Sequence, residues 1–137
     1  MTTRRTPRQL ERTLTQNLKH IRDHRRTQFG VGPGWFPLLG RLDHKLTQLA
    51  GTPEMYTYSQ IKQKMGGLRC YTHISPDLPK EVRDQMDDAV TAAEKQSYET
   101  CEECSAPGVR RNPRGWVSTL CDECDAAREA RRRRGQK

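Results

Sequence analysis

Two pairs of cysteines in the last third of the chain have a spacing that suits a metal ion. Cys101 and Cys104 form one C-x-x-C motif, and Cys121 and Cys124 form a second one after sixteen intervening residues. In this pattern two tight turns each present two sulfurs, and the four sulfurs complete the tetrahedral shell of a zinc site. A closed shell of four thiolates leaves no position for water or substrate. The spacing therefore predicts one structural Zn²⁺ ion and no catalysis at the metal.

Disulfide and redox chemistry are the alternative uses of these cysteines. Two disulfides need an oxidising compartment, but we expect no signal segment because the first residues are polar and basic, and the fifth cysteine, Cys70, would be left over. A thioredoxin-like redox pair is disfavoured because neither motif lies in a strand–helix–strand context. Zinc is the favoured interpretation. Cys70 is predicted to be a small buried hydrophobic residue.

No other residues in the sequence have the order or spacing of a catalytic centre. Asp87 and Asp88 are adjacent, which places them about 100° apart on a helix and makes them a poor acid/base pair. The sequence contains no nucleophile–histidine–acid order and no His–Asn–His cluster of the kind that zinc-supported nucleases carry. We therefore expect a protein that is not an enzyme and has no small-molecule substrate.

Positive charge is concentrated at the two ends of the chain. The formal net charge is +8, with +6 in residues 1–26, −3 in residues 27–127 and +5 in residues 128–137. Clustered cations bind phosphates, an acidic partner or a membrane surface, and a solvated outer surface is the alternative interpretation. The candidate contacts for nucleic acid or another partner are Arg8, Arg12, Lys19, Arg22, Arg25, Arg26, Arg110, Arg111, Arg114, Arg131, Arg132, Arg133 and Arg134.

The segment between the two cysteine pairs contains three arginines, and its last five residues, 116–120, are predicted to form a short strand that delivers the second pair. Arg110, Arg111 and Arg114 precede Trp116, an arrangement that would suit stacking on a single-stranded base. Covering the zinc ligands is the favoured role for Trp116, because this segment has little other apolar mass. The four arginines from Arg131 to Arg134 are predicted to form a frayed, solvated tail that binds polyanions without sequence selectivity.

The hydrophobic pattern predicts a mostly helical α+β fold of four segments. Residues 1–29 read as a basic N-terminal helix, residues 30–98 as a helical core with one short strand, residues 99–127 as the zinc ribbon and residues 128–137 as a basic tail. Only 32% of the residues are hydrophobic, so a metal would compensate for a thin core. No run approaches the roughly 18 apolar residues of a membrane span, so we expect a soluble, cytoplasmic protein.

Individual elements of the core follow from periodicity and from glycine and proline. Trp35-Phe36-Pro37 is predicted to open a helix that Gly51 ends, and the leucines from Leu38 to Leu49 recur on one face of it and are interpreted as core. Ile61 and Met65 are one turn apart, which favours a short helix over 58–65. Alternation over Leu68–Ile74 predicts a strand. A third helix is expected to start at a cap on Asp77, to run to about residue 98 and to bury Val82, Met86, Val90 and Ala93.

Two resemblances follow from these motifs. The segments Gly34-Trp-Phe-Pro-Leu38, Gln60-Ile-Lys-Gln-Lys-Met-Gly-Gly-Leu-Arg69, Glu99-Thr-Cys-Glu-Glu-Cys104, Gly115-Trp116 and Thr119-Leu-Cys-Asp-Glu-Cys124 resemble a family of small, uncharacterised phage and prophage zinc-ribbon proteins. In addition, residues 101–131, a four-cysteine finger between two helices, are similar to the DksA/TraR type of RNA-polymerase-binding factor. That second resemblance implies an acidic-tipped helical element that enters the polymerase.

The sequence as a whole predicts a protein that acts by binding inside a bacterial host cell. The first hypothesis is a zinc-ribbon protein that binds a host nucleoprotein complex or its nucleic acid through the basic ends, and this binding would weaken steeply with salt. The alternative is a protein-directed, anti-CRISPR-like inhibitor of a host polymerase or defence complex. It would bind through the acidic middle of the chain or through an apolar patch, and this binding would persist at moderate salt concentrations.

Overall fold

The computed structural model describes residues 28–135. The predicted N-terminal helix, with its candidate contacts Arg8, Arg12, Lys19, Arg22, Arg25 and Arg26, lies outside the described residues apart from its last two positions. Those two positions correct the predicted boundary at residue 29, because Gln28 and Phe29 belong to a strand.

The described residues form three α-helices and two small sheets. The helices are α1 (Phe36–Ala50), α2 (Lys80–Ser97) and α3 (Asp122–Gly135), and the strands are β1 (Gln28–Gly30), β2 (Tyr56–Lys64), β3 (Gly67–Ile74), β4 (Val109–Arg111) and β5 (Ser118–Leu120). In the first sheet β2 lies between β1, to which it is parallel, and β3, to which it is antiparallel. Strands β4 and β5 form a separate antiparallel hairpin. The fold is α+β as predicted, but helix accounts for only about half of it.

Helix α1 matches its prediction at both ends. Pro37 occupies its first turn, where a missing N–H costs nothing, and Gly51 ends it with a φ of 83°, in the left-handed region. The leucine stripe faces inward, with Leu39 and Leu46 fully buried, and Trp35 is buried just before the helix. The interpretation of this stripe as core is therefore confirmed.

The predicted short helix over 58–65 is wrong, because this segment is most of strand β2. Tyr58 and Ile61 both face the core, although they are three residues apart, because an irregularity between Tyr58 and Gln60 shifts the pairing register. A two-residue loop, Met65-Gly66, joins β2 to β3 with φ values of 54° and 82°, as in a type I′ turn. The strand predicted at Leu68–Ile74 is confirmed as β3.

Helix α2 buries Met86, Val90 and Ala93, as predicted, and half-buries Val82. Its N-cap is Pro79, so the predicted cap on Asp77 is wrong; the backbone N–H of Asp77 donates to the Ser75 hydroxyl instead. Asp87 and Asp88 lie in the middle of α2, and not at the tip of a helical hairpin.

Side chains of α2 also satisfy the free edge of β3. The Leu68 N–H donates to the Ser97 hydroxyl at 2.8 Å, and the Cys70 N–H donates to the Glu94 carboxylate at 3.0 Å. These hydrogen bonds occupy the edge groups through which sheets pair with other chains. Cys70 itself is buried and free, as predicted.

The core lies between helices α1 and α2 and one face of the first sheet. Trp35, Leu46, Ile61, Leu68 and Met86 have no measurable exposure there. One buried polar group belongs to this core: Asp43 of α1 accepts hydrogen bonds at 2.7 Å from the hydroxyls of Tyr56 and Tyr58. Burial raises the pKa of both phenols, and the Asp43 carboxylate contributes in the same direction.

Candidate metal centre

The four cysteine sulfurs of the two C-x-x-C motifs lie together. All four Sγ atoms are within 4.8 Å of one another, and the Cys104 and Cys121 sulfurs are 3.7 Å apart. Metal–sulfur bonds of about 2.3 Å at the tetrahedral angle place two sulfurs about 3.8 Å apart, whereas a disulfide needs about 2.0 Å. The arrangement is therefore that of a four-sulfur metal site and not of two disulfides. Within residues 28–135, these four cysteines are the group of side chains whose ligand atoms lie close enough together to hold a metal ion.

The first cysteine pair is presented by a tight turn just after α2. The Ser105 N–H closes this turn by donating to the Cys101 carbonyl oxygen at 3.1 Å. Ser105 has a φ of 73°, in the left-handed region that glycine adopts without strain. Its hydroxyl donates to the Gly34 carbonyl oxygen at 2.5 Å, which gives the serine a partner that glycine would lack.

The second cysteine pair lies at the start of α3. Strand β5 ends at Leu120, Cys121 follows, and Cys124 is in the first turn of the helix. The Cys124 N–H points at the Cys121 sulfur at 3.4 Å. Free N–H groups and the positive end of the helix dipole favour thiolate at this position. Burial raises the pKa of the Cys101 and Cys124 thiols and acts against this effect of the helix.

Glu102, between Cys101 and Cys104, joins the segment with the four cysteines and α3, residues 99–135, which we call the metal module, to the start of the core. Its carboxylate accepts the Gly32 N–H at 3.0 Å and its carbonyl oxygen accepts the Gly34 N–H at 2.7 Å, while its own N–H donates to the Thr119 carbonyl oxygen at 3.0 Å. Glu102 is 8% exposed. Burial raises the pKa of this carboxyl, and the Gly32 hydrogen bond acts in the opposite direction.

The glycines at 32 and 34 are required by this close approach. A Cβ on Gly32 would lie 2.5 Å from the Glu102 carbonyl oxygen, and a Cβ on Gly34 would overlap the Cys101 carbonyl oxygen. By sequence alone, the glycine- and proline-rich residues 30–34 are predicted only to form a loop that ends the N-terminal helix, and Glu102 has no predicted role. Two glycines on alternate positions beside a proline were the available signal, but nothing in the sequence identified their partner.

Further hydrogen bonds hold the metal module against the residue that precedes α1 and against the β2–β3 hairpin. The Trp35 indole N–H donates to the Thr100 carbonyl oxygen at 2.9 Å. The Thr119 hydroxyl donates to the Gly66 carbonyl oxygen at 2.6 Å, and the Gln63 amide donates to the Val117 carbonyl oxygen at 2.9 Å. The metal module is thus docked directly on the core.

Two of the three arginines predicted as a basic loop form ion pairs inside the module. The side chain of Arg114 is 3% exposed and contacts Asp125 at 2.6 Å and Glu129 at 3.3 Å. Arg111 contacts Asp122 at 2.6 Å. These pairs hold α3 against the β4–β5 hairpin. Arg110 differs, because its guanidinium lies 5.2 Å from the centre of the Tyr98 ring.

Trp116 is 54% exposed, so its ring is not enclosed between the cysteines and the core, and its favoured role as a cover for the zinc ligands stays a prediction. It follows Gly115, which has a φ of 88°, near the tip of the β4–β5 hairpin. The short strand delivering the second cysteine pair begins only at Ser118.

The four successive arginines are helical and not frayed. Helix α3 continues to Gly135 and includes all of them. Arg132 and Arg133 contact Glu129, and Arg131 lies 4.0 Å from Glu103. The exposed fraction of the side chain is nevertheless 57% for Arg131, 42% for Arg132 and 77% for Arg133, and Arg134 is also exposed.

Comparison of the chain with protein-family models, with curated proteins and with solved structures gives no match. The two resemblances drawn from the motifs therefore stay predictions. Within residues 28–135, no helix has the length and apolar character needed to cross a bilayer.

Proposed function

We propose that this chain is a non-enzymatic zinc-ribbon protein of the phage type that binds nucleic acid in the cytoplasm of a bacterial host and modulates the machine working on that nucleic acid. The observation that carries the proposal is the end of α3, where Arg131, Arg132, Arg133 and Arg134 are exposed on a formed helix. A helix of this kind binds the phosphates of a nucleic acid at a lower entropic cost than a frayed tail does, because its backbone is already ordered.

Zinc is the proposed metal because of the chemistry of its ligands. Four soft thiolates in tetrahedral positions favour zinc over magnesium, calcium or manganese, which prefer oxygen ligands. The ion would be held by Cys101, Cys104, Cys121 and Cys124. It would join the turn after α2 to the start of α3 and so fix the direction of the arginine-bearing helix. Its role in binding is therefore structural.

The arginines differ in how fully their charge is neutralised. Arg111, Arg114 and Arg128 are each less than a quarter exposed and contact carboxylates at 2.6 Å. The arginines at the end of α3 share two glutamates, Glu103 and Glu129, with Arg114 and Arg128. Positive charge therefore exceeds negative charge there, and a polyanion is the partner that this excess favours.

The test is binding to duplex and single-stranded DNA, measured by fluorescence anisotropy at several salt concentrations. The variant Arg131→Gln/Arg133→Gln/Arg134→Gln should lower affinity at least tenfold and make the salt dependence less steep. A matched control removes three exposed lysines from α1 and α2, in Lys45→Gln/Lys80→Gln/Lys95→Gln. Equal losses in the two variants, or no binding by the wild type at low salt, would contradict the proposal.

A second candidate function, inhibition of a host protein complex, is favoured by the acidic outer face of α2. Four exposed carboxylates lie on this helix, at Glu81, Asp84, Asp87 and Asp88. Such a surface suits a basic site on a polymerase or a nuclease. Capture from a bacterial lysate, with and without nuclease, separates the two functions. A single complex that survives nuclease and is lost in Asp84→Asn/Asp87→Asn/Asp88→Asn would favour the inhibitor.

A further inference from the structure

The face of the first sheet that points away from the helices carries cations beside an aromatic ring. This open sheet face consists of outward-pointing residues of β2 and β3, namely Gln60, Lys62, Lys64, Arg69, Tyr71 and His73. The register places Lys62 opposite Arg69 and Gln60 opposite Tyr71. The Lys62 ammonium lies 5.5 Å from the centre of the Tyr71 ring, and Tyr71 is 44% exposed.

Lys62, Lys64 and Arg69 form no close ion pair within the described part of the chain, although Glu94 contributes to the electrostatics of Arg69. No carboxylate of residues 28–135 lies within 4.0 Å of the side-chain nitrogens of Lys62, Lys64 or Arg69. The arginines of the metal module provide the contrast, since Arg111 and Arg114 are both paired with acids of α3.

Tyr98 extends the positive surface from the sheet to the metal module. Its hydroxyl accepts a hydrogen bond from Arg69 at 3.1 Å, and Arg110 lies over its ring. Gly67 is adjacent, because a Cβ there would overlap the Tyr98 ring. Two guanidinium groups from different parts of the fold are thereby held around one ring. Four cations therefore follow one another from the sheet to the metal module: Lys62 opposite Arg69, then Lys64 opposite Gly67, then Arg110 over the Tyr98 ring.

We propose that the open sheet face, with Arg110, is a binding site for single-stranded nucleic acid. Tyr71 would stack on one base, and Lys62, Lys64, Arg69 and Arg110, which all lie on one side of Tyr71 along the strands, would contact the phosphates that continue in that direction. A single strand is favoured over a duplex because a ring on a flat sheet reaches a base only when the base is out of its stack. Charge complementarity selects a polyanion, and the aromatic ring among the cations distinguishes a nucleic acid from an acidic peptide.

This inference rests on the proposed function, because it names the form of nucleic acid and a contact surface distinct from the end of α3. The experiment therefore compares the two surfaces. The probes are a single-stranded oligonucleotide of about twelve nucleotides, within the range that small single-strand-binding folds cover, the matching duplex, and polyglutamate of similar charge. The variants are Tyr71→Ala, Tyr71→Phe, Lys62→Gln/Arg69→Gln and the α3 arginine variant.

The expected result is a loss specific to the single strand. Tyr71→Ala should weaken its binding about tenfold, Tyr71→Phe should keep most of it because the ring remains, and neither should change duplex binding. Lys62→Gln/Arg69→Gln should also weaken the single strand more than the duplex. Polyglutamate should bind the wild type and the two Tyr71 variants equally weakly. Thermal melting of each variant checks that it is folded.

The outcomes separate the two proposals. If the α3 variant loses both nucleic acids while the sheet variants bind like the wild type, the open sheet face is not a site and the proposed function stands. Equal losses of single strand and duplex in the sheet variants, or polyglutamate binding as tight as the oligonucleotide, would show a general polyanion surface and overturn the inference. If the folded wild type binds neither nucleic acid, both proposals fail.

Discussion

Replacing Gly34 with alanine should destabilise the protein far more than the loss of backbone freedom would suggest. In most positions this exchange is neutral or stabilising, because alanine reduces the entropy of the unfolded chain. Here the added Cβ would overlap the Cys101 carbonyl oxygen and lie 2.5 Å from the Glu102 carbonyl carbon. Both atoms belong to backbone, so no side-chain rotation relieves the overlap. Either the Gly34 segment or the ligand turn must move.

The size of the effect follows from what that movement breaks. Overpacking of a rigid site costs about 2 kcal/mol, from a usual range of 1–3 kcal/mol. The Gly34 N–H to Glu102 oxygen bond of 2.7 Å and the Ser105 hydroxyl to Gly34 oxygen bond would both be lost. At about 1 kcal/mol each, they bring the total to about 4 kcal/mol. For a chain of 137 residues that corresponds to a fall in the melting temperature of roughly 14 °C.

The assay is denaturant unfolding of the zinc-loaded protein, followed by titration with a metal-binding dye. Gly30→Ala is the matched control, since a Cβ at Gly30 has nothing within 4 Å. Gly34→Ala should unfold at a much lower denaturant concentration and give up its metal to the dye at lower dye concentration, because the strained backbone carries a ligand. If the free energies of unfolding of the two variants agree within about 1 kcal/mol, the close approach at Gly34 does not contribute as argued.

Three further expectations concern the ligand turn, the metal and the core. Elemental analysis should find one zinc per chain, and Cys121→Ser or a chelator should release it and lower the melting temperature, since three sulfurs hold zinc less well than four. Ser105→Val should lower the free energy of unfolding by about 2 kcal/mol, because a β-branched residue disfavours a φ of 73°. Ser105→Gly should leave the free energy of unfolding almost unchanged, because glycine relieves the backbone strain but loses the hydrogen bond to Gly34. Urea unfolding measures both variants. The buried phenols of Tyr56 and Tyr58 have raised pKa values, so the folded state keeps their protons above about pH 10, where tyrosines of the unfolded chain ionise. Stability should therefore be complete below that pH and fall above it, and denaturant titrations should show a smaller fall in Tyr58→Phe.

The elements that were predicted correctly are those whose signal is local. The leucines of α1 repeat with helical period and Gly51 ends the helix, so neighbours in sequence determine the outcome. The ligand spacing is local in the same sense, since each C-x-x-C motif defines its own turn. The strand β2 was missed because its register shift puts Tyr58 and Ile61 on one face, which breaks the alternation and leaves only the helix-like spacing of Ile61 and Met65 visible.

The parts that could not be predicted depend on contacts between distant residues. Glu102 contacts Gly32, seventy positions away, and no pattern near either residue identifies the other. The same holds for the arginines. Arg111 and Arg110 are adjacent in the sequence, yet Arg111 pairs with Asp122 while Arg110 lies over Tyr98. Which of them keeps a free charge is decided by where α3 and α2 lie, and composition contains no such information.

The contrast between arginines that form ion pairs and arginines that do not gives a test of which cations contribute to nucleic-acid binding. Each phosphate contact made by a cation contributes about 0.7 to the slope of log affinity against log salt for a single strand. A paired arginine must first give up its carboxylate, so it adds little. We therefore expect Arg69→Gln to reduce the slope by about 0.7 and Arg111→Gln to leave it unchanged, although both remove one positive charge from the chain. Equal reductions would mean that net charge alone determines binding and that the placement of ion pairs in the fold does not.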